Sequence, residues 1–203
     1  MEIRPLYDRI IVKRIDQQRQ FHPMKGQTLG ENDTWHDAAD LSAGWRALWD
    51  EQALYLAVEV SDDVYRIGRG EGEIWNQDGL QFLVDPTRLL AEKAGKYDIS
   101  MGVGHDGPLA WCHLSGDSSV PTGAMPQVRI AVTDLPGSAG GKRYEIAIPW
   151  DRLAPFTPAV GANLGLAMIL NEDDGLGREG FAGWFSGVHS KQLDLVGDLV
   201  LQE

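Results

Sequence analysis

Apolar and polar residues alternate with a period of two along much of the chain. In the segment ALYLAVEV (53–60), every second residue is a large aliphatic one, and the residues between are smaller or polar. Such alternation is typical of a β-strand with one buried face. The same alternation predicts strands over 79–85, 97–103, 127–133 and 144–149. A uniformly apolar run predicts a strand covered on both faces at 164–170, and residues 196–201 are predicted to close the fold.

Turn-forming residues separate these strands, and helical patterns are scarce. Residues 86–95 are predicted to form two helical turns and residues 150–155 one turn. Residues 16–40 are polar and irregular, which predicts a long surface loop. Many short strands with turn-rich connections predict an all-β fold, an antiparallel β-sandwich with jelly-roll or immunoglobulin-like layers and one or two short helices.

Composition narrows the classes of partner. The formal net charge of -12 disfavours nucleic acid and anionic membrane surfaces, whose phosphates would repel the chain. No apolar run approaches the length of a membrane span. The single cysteine, Cys112, excludes an internal disulfide and a cysteine-built zinc site. The composition leaves neutral ligands and cations as possible binding partners.

The segment MEIRPLYDRIIVKR (1–14) resembles the first strand of the ten-kilodalton co-chaperonins. The rest of that family's pattern does not follow, so we interpret residues 1–20 as a foreign or fused strand, as in a chimera, and residues 21–203 as one domain. This basic strand is expected to support self-association by edge pairing. The first residues do not have the pattern of a signal peptide, so the sequence does not identify the cellular compartment. If a signal peptide has been removed, the expected compartment is extracellular or periplasmic.

Four segments resemble, in order, the motifs of the family 9 carbohydrate-binding modules. They are GWRALWDEQALYLAVEVSDD (44–63), IWNQDGLQFLVDP (74–86), YEIAIPWDRL (144–153) and GLAMILNEDDGLGREGFAGWFSG (165–187). The resemblance runs from about Gly44 to Leu201. It implies a β-sandwich that binds a mono- or oligosaccharide without catalysis.

Two tryptophans are the candidate stacking residues. Sugars present apolar C–H faces on which indole rings stack, and the resemblance implies that Trp75 and Trp184 clasp a sugar between them. Trp75 lies among polar residues, and Trp184 lies among glycines and small residues that would leave its ring uncovered. The alternative is that both rings belong to the core, as we expect for Trp45, Trp49 and Trp150. Trp111 and Trp35 remain unassigned.

Polar side chains near the two tryptophans are the expected partners of the sugar hydroxyls. Asp78 could instead cap a turn, and Arg178 could make a surface ion pair of small value. The five candidates are Gln77, Asp78, Asn171, Glu172 and Arg178.

The acidic loop NEDDG suggests calcium. Asp173 and Asp174 precede Gly175, and closely spaced oxygen ligands on a loop suit structural Ca²⁺. The spacing lacks the alternation of an EF-hand. Ordinary solvated turn chemistry is the favoured interpretation of these two residues, as of the acidic turns at Asp62, Asp63 and Asp85.

Three other functions compete with sugar binding. A glycosidase needs a defined carboxylate pair, which nothing in the sequence singles out, and no nucleophile, zinc-protease or phosphate-loop motif is present. Relatives of this sandwich include cytochromes, so the chain could bind haem; core packing or turn formation is the plainer role of each potential ligand. The domain could also be a scaffold without a ligand. The potential haem ligands are Met101, His105, His113 and Met168.

Overall fold

Two antiparallel sheets pack face to face in the computed structural model, which describes the backbone of residues 10–11 and residues 38–89, 95–175 and 177–203. The five-stranded sheet has the order β1-β2-β3-β9-β8: Ile10–Ile11, Leu41–Trp49, Ala53–Asp62, Lys142–Pro149 and Arg129–Asp134.

The seven-stranded sheet has the order β11-β10-β4-β5-β6-β7, and β12 also pairs with β10. These strands are Gly180–Trp184, Asn163–Glu172, Gly79–Asp85, Tyr97–Gly104, Gly107–Leu114, Gly123–Ala124 and, for β12, Gly197–Val200. The helical segments are the α-helix α1 (Gly187–Ser190) and three 3₁₀ helices, Glu71–Asn76, Trp150–Leu153 and Leu193–Leu195. No described helix combines the length and apolar character needed to cross a membrane.

The core lies between the two sheets and follows from the period-two pattern. On β3, Leu54, Leu56, Val58 and Val60 are all buried in it. The indole nitrogens of Trp49 and Trp150 donate to the carbonyls of Gln202 and Asp50, each at 2.8 Å. The core assignment of Trp45, Trp49 and Trp150 is confirmed.

The opposite face of the seven-stranded sheet, which we call the outer face, carries a second apolar cluster. Leu83, Ile169 and Phe181 pack there beneath Val188 of α1. This cluster covers only part of the face, and the remainder carries polar side chains of β4 and β5. The outer face therefore carries buried polar side chains beside its apolar cluster.

The predicted all-β sandwich is confirmed, and each predicted strand has a counterpart. The turn at 150–155 contains a 3₁₀ helix, whereas the described part of 86–95, namely 86–89 and 95, is not helical. The sequence patterns do not predict the strands β6, β7 and β11. Most of the predicted N-terminal strand and surface loop, and Trp35, lie outside the described residues.

Candidate functional site

Trp75 lies at the entrance to β4, on the 3₁₀ helix Glu71–Asn76. Ile74 anchors this helix in the protein interior, and Trp75 is half-buried. The next residue but one, Gln77, is fully buried. Its Oε1 accepts from the Arg69 amide and its Nε2 donates to the Val103 carbonyl, both at 2.8 Å. Because both ends of its amide bind backbone groups, Gln77 holds the Trp75 segment in place and does not face a ligand.

Arg178 lies over the Trp75 ring and links it to a polar network on the outer face. The guanidinium carbon is 5.6 Å from the Trp75 ring centroid and 5.3 Å from that of Phe181. Its Nη1 is 3.4 Å from Gln81 Oε1. Burial lowers the pKa of Arg178 to about 10, against the opposing effect of Asp98, so the guanidinium remains charged at neutral pH.

The network continues from Gln81 across β4 and β5. Gln81 Nε2 donates to Asp98 Oδ1 at 2.7 Å, and Lys191 Nζ lies 2.7 Å from Asp98 Oδ2. Ser100 lies directly opposite Gln81 on β5, and its Oγ is 3.0 Å from His113 Nε2. Burial lowers the pKa of His113, which favours the neutral imidazole. Donors and acceptors of several kinds thus lie together on one sheet face.

Asn171 lies on β10 beside this network. It is directly opposite Gly79 on β4 and Phe181 on β11, so its side chain shares the outer face with Phe181. Only 2% of Asn171 is exposed, and neither its Nδ2 nor its Oδ1 has a hydrogen-bond partner among the described residues. A buried amide without partners costs about 1–3 kcal/mol, so a hydrogen-bonding partner at this position would stabilise the protein.

Trp184 lies in the core and is not uncovered as expected. Residues 180–184 form the edge strand β11, where Trp184 is directly opposite Met168 and points between the sheets. Its ring centroid is 4.7 Å from that of Trp45, and only 9% of the residue is exposed. The glycine before it, Gly183, lies on the opposite face, and Phe185 packs edge-on against the ring at 4.9 Å between centroids. Trp184 therefore does not offer a stacking surface to solvent.

Asp78 and Glu172 do not lie on the outer face but meet Asp62 in a buried acidic cluster. Carboxylate oxygens of the three residues lie within 4.8 Å of one another. Asp62 ends β3, Glu172 ends β10 and Asp78 precedes β4, so the cluster closes one end of the sandwich. Glu172 is 5% exposed, and neither of its carboxylate oxygens has a hydrogen-bond partner in the described parts of the chain.

Burial makes this cluster costly to ionise without a cation. Burial, followed by the charge of Asp62, raises the pKa of Asp78 to about 9 and that of Glu172 to about 10. Burial also raises the pKa of Asp62 to about 7, although the hydrogen bond from the Val64 amide opposes this. A bound divalent cation would offset both the desolvation and the repulsion.

A cavity beside the acidic cluster has room for one water molecule or one ion. Asp62, Asp78 and Tyr65 help to line a small cavity, and Lys142 lines it as well. Its space suits about one water or ion and is far too small for a sugar ring. The carboxylates of Asp62, Asp78 and Glu172 are hard oxygen ligands of the kind that Ca²⁺ prefers, so these three residues fit a calcium ion.

Asp173 and Asp174, the two residues predicted to bind calcium, do not belong to this three-carboxylate cluster. Asp173 Oδ1 accepts from the amides of Gly175 and Gly177 at 2.8 and 2.9 Å, which is turn chemistry. Asp174 instead groups with Asp40 and Asp63, their carboxylate oxygens lying within 4.8 Å of one another. This second group is less buried than the first.

The four potential haem ligands are not brought together. Met101 and Met168 are buried between the sheets. His113 lies on β6 and is paired with Ser100, and His105 is exposed in the turn between β5 and β6. No common haem position follows from these places.

Sequence reasoning missed several residues of the polar network and the acidic cluster. Gln81 and Asp98 occupy alternate positions of two predicted strands, so the period-two pattern placed polar side chains there. Only the strand order and register show that β4 and β5 are neighbours and present these side chains on one face. The sequence pattern places Asp62 only in an acidic turn.

Comparison with known proteins agrees with this architecture. A family profile described as carbohydrate family 9 binding domain-like matches residues 19–203. The co-chaperonin resemblance of residues 1–14 lies outside this match and stays a prediction. No curated protein matches the chain significantly.

Two solved structures of a family 9 carbohydrate-binding module from Caldicellulosiruptor kristjanssonii share the fold. The cellotriose complex has a TM-score of 0.60 at 20% identity and covers 80% of this chain and 75% of its own. The glucose complex has a TM-score of 0.58 at 19% identity and covers 88% of each chain. With the profile matching most of its length, the chain belongs to the carbohydrate family 9 binding domain-like family.

Proposed function

We propose that this protein is a non-catalytic sugar-binding domain whose ligand lies against Trp75, at the edge of the outer face. The indole would stack on the apolar face of a pyranose ring. Asn171 and Arg178 would bind the ring hydroxyls, because an amide and a guanidinium supply the donors and acceptors that hydroxyls need.

The observation that carries this proposal is the unpartnered amide of Asn171. Its buried Nδ2 and Oδ1 lack protein partners in the described residues, yet they lie on the same face as Arg178, which covers Trp75. Polar groups that a fold keeps buried and unpaired are typical of ligand sites. A sugar hydroxyl can both donate and accept, so it can satisfy either end of the amide.

The class of sugar follows from the relatives. The Caldicellulosiruptor modules bind cellotriose and glucose, and we propose glucose or a short glucose oligomer for this chain. The two-tryptophan clasp is not part of the proposal, because Trp184 packs against Trp45. A single stacking ring with a polar network predicts a micromolar to millimolar dissociation constant.

Replacing Trp75 with alanine is expected to weaken binding of cellotriose by about 5- to 30-fold, the equivalent of about 1–2 kcal/mol for a stacked ring. Isothermal titration calorimetry of the wild type and Trp75→Ala measures this. Phe185→Ala is the matched control, because Phe185 is also an accessible aromatic residue but packs against Trp184. Equal affinities for Trp75→Ala and the wild type would refute this site, and silence of the wild type with all glucose ligands would refute the function.

We further propose Ca²⁺ as a structural cofactor, held by Asp62, Asp78 and Glu172. The buried, unpartnered carboxylate of Glu172 supports this choice, and Asp173 is not among the three residues whose carboxylate oxygens lie together. Bound calcium would supply the positive charge that allows the three carboxylates to be ionised together.

A further inference from the structure

The acidic cluster and the sugar site share the same two stretches of backbone. On β10, Asn171 and Glu172 are consecutive, so their side chains point to opposite faces: Asn171 to the outer face and Glu172 into the cluster. At the start of β4, Asp78 follows Trp75 by three residues, and Gln77 between them is held by backbone groups. A shift in either stretch moves both sites.

Asp78 ties these two stretches together. Its Oδ1 accepts from the Asp173 amide at 2.8 Å, and its Oδ2 accepts from the Arg66 amide. One carboxylate thus joins the segment before Trp75 to the start of the loop that follows β10. Asp78 is therefore a positioning residue for both segments.

The loop that begins at Asp173 carries Arg178 back to Trp75. Asp173 Oδ1 accepts the amides of Gly175 and Gly177, and the Arg178 amide donates to Asn76 Oδ1 at 3.0 Å. A chain of hydrogen bonds therefore runs from the acidic cluster to the residues around the Trp75 ring.

The acidic cluster holds one buried carboxylate that has no hydrogen-bond partner among the described residues. Glu172 is buried with both oxygens unpartnered in the described chain, within 4.8 Å of the carboxylates of Asp62 and Asp78. A cation placed among them would attract all three carboxylates, which lie at the ends of β3 and β10 and at the entrance to β4. That attraction acts directly on Asp78, which holds the loop.

We propose that a divalent cation bound by Asp62, Asp78 and Glu172 controls the affinity of the sugar site, by fixing the loop that carries Arg178 and the segment that carries Trp75. This inference rests on the proposed sugar binding and describes how the cation would regulate it. Because coupling between two sites is reciprocal, the sugar tightens cation binding by the same factor as the cation tightens sugar binding.

The test combines two ligands and two readouts. Cellotriose affinity is measured by calorimetry in Ca²⁺ and in EDTA, and Ca²⁺ affinity and the melting temperature are measured with and without cellotriose. We expect cellotriose to bind about 5- to 50-fold more weakly in EDTA, and Ca²⁺ to bind more weakly without cellotriose by the same factor. Glu172→Gln should bind cellotriose weakly in both solutions. Glu145→Gln, at an exposed glutamate of β9, should behave as the wild type.

The outcomes separate the coupling from the function. Equal cellotriose affinity in Ca²⁺ and EDTA, in a protein whose melting temperature rises with Ca²⁺, overturns the coupling and leaves sugar binding intact. Absence of any Ca²⁺ binding also overturns it. Absence of cellotriose binding in both solutions overturns the proposed function itself, together with its regulation.

Discussion

Replacing Trp184 with alanine should lower the free energy of unfolding by about 3–5 kcal/mol, the usual cost of truncating a large buried aromatic residue. The indole packs edge-on against Trp45 at 4.7 Å between the sheets. Removing it leaves a cavity at the edge of the core that neighbouring β10 cannot fill without moving. Urea denaturation followed by circular dichroism measures the loss.

The neighbouring residue supplies the control for this prediction. Phe185 follows Trp184 but is 40% exposed, so Phe185→Ala should cost far less. Trp184→Phe should retain much of the stability because it keeps an aromatic ring in the core. A Trp184→Ala protein of unchanged stability that had lost cellotriose binding would contradict the core assignment and restore the two-tryptophan clasp.

Calcium at about 100 times its dissociation constant should stabilise the protein by about 2.7 kcal/mol. In a domain of this size, that corresponds to a rise of about 5–10 °C in melting temperature. The effect arises because the folded chain brings the carboxylates of Asp62, Asp78 and Glu172 within 4.8 Å of one another, whereas the unfolded chain does not. Differential scanning calorimetry in EDTA and in increasing Ca²⁺ measures it.

Glu172→Gln distinguishes a cation effect from a folding effect. In EDTA this variant should be at least as stable as the wild type, since it removes an ionisable group that is buried without a partner. In Ca²⁺ it should lose most of the rise in melting temperature, while Glu145→Gln keeps it. An equal rise in the wild type and Glu172→Gln would show that calcium acts elsewhere.

The sandwich could be predicted because its strands have one-sided patterns. Residues 53–60 and 79–85 alternate or stay apolar over a full strand length, and both became strands at nearly those bounds. The edge strand β11 was missed because the glycines of GFAGW resemble a loop. Its strand form depends on pairing with β10, which is a long-range effect that no local pattern contains.

The candidate site was predictable only in part. Arg178 covers Trp75 and Asn171 shares the outer face with Phe181, while the binding role expected of these residues stays a prediction. Trp184 was assigned to the wrong side, because one residue of register decides which face of a strand a ring occupies. Asp62 and Glu172 are 110 positions apart in the sequence and meet only where the two sheets close.

The indole ¹H–¹⁵N resonances of the tryptophans test the central claim most directly, during titration with cellotriose. If the ligand lies against Trp75 on the outer face, the Trp75 indole signal and the Asn171 side-chain amide signals shift with saturable dependence on cellotriose, and the Trp45 and Trp184 signals stay in place. A shift of the Trp184 signal without one at Trp75, or no shift at any tryptophan, would contradict the account.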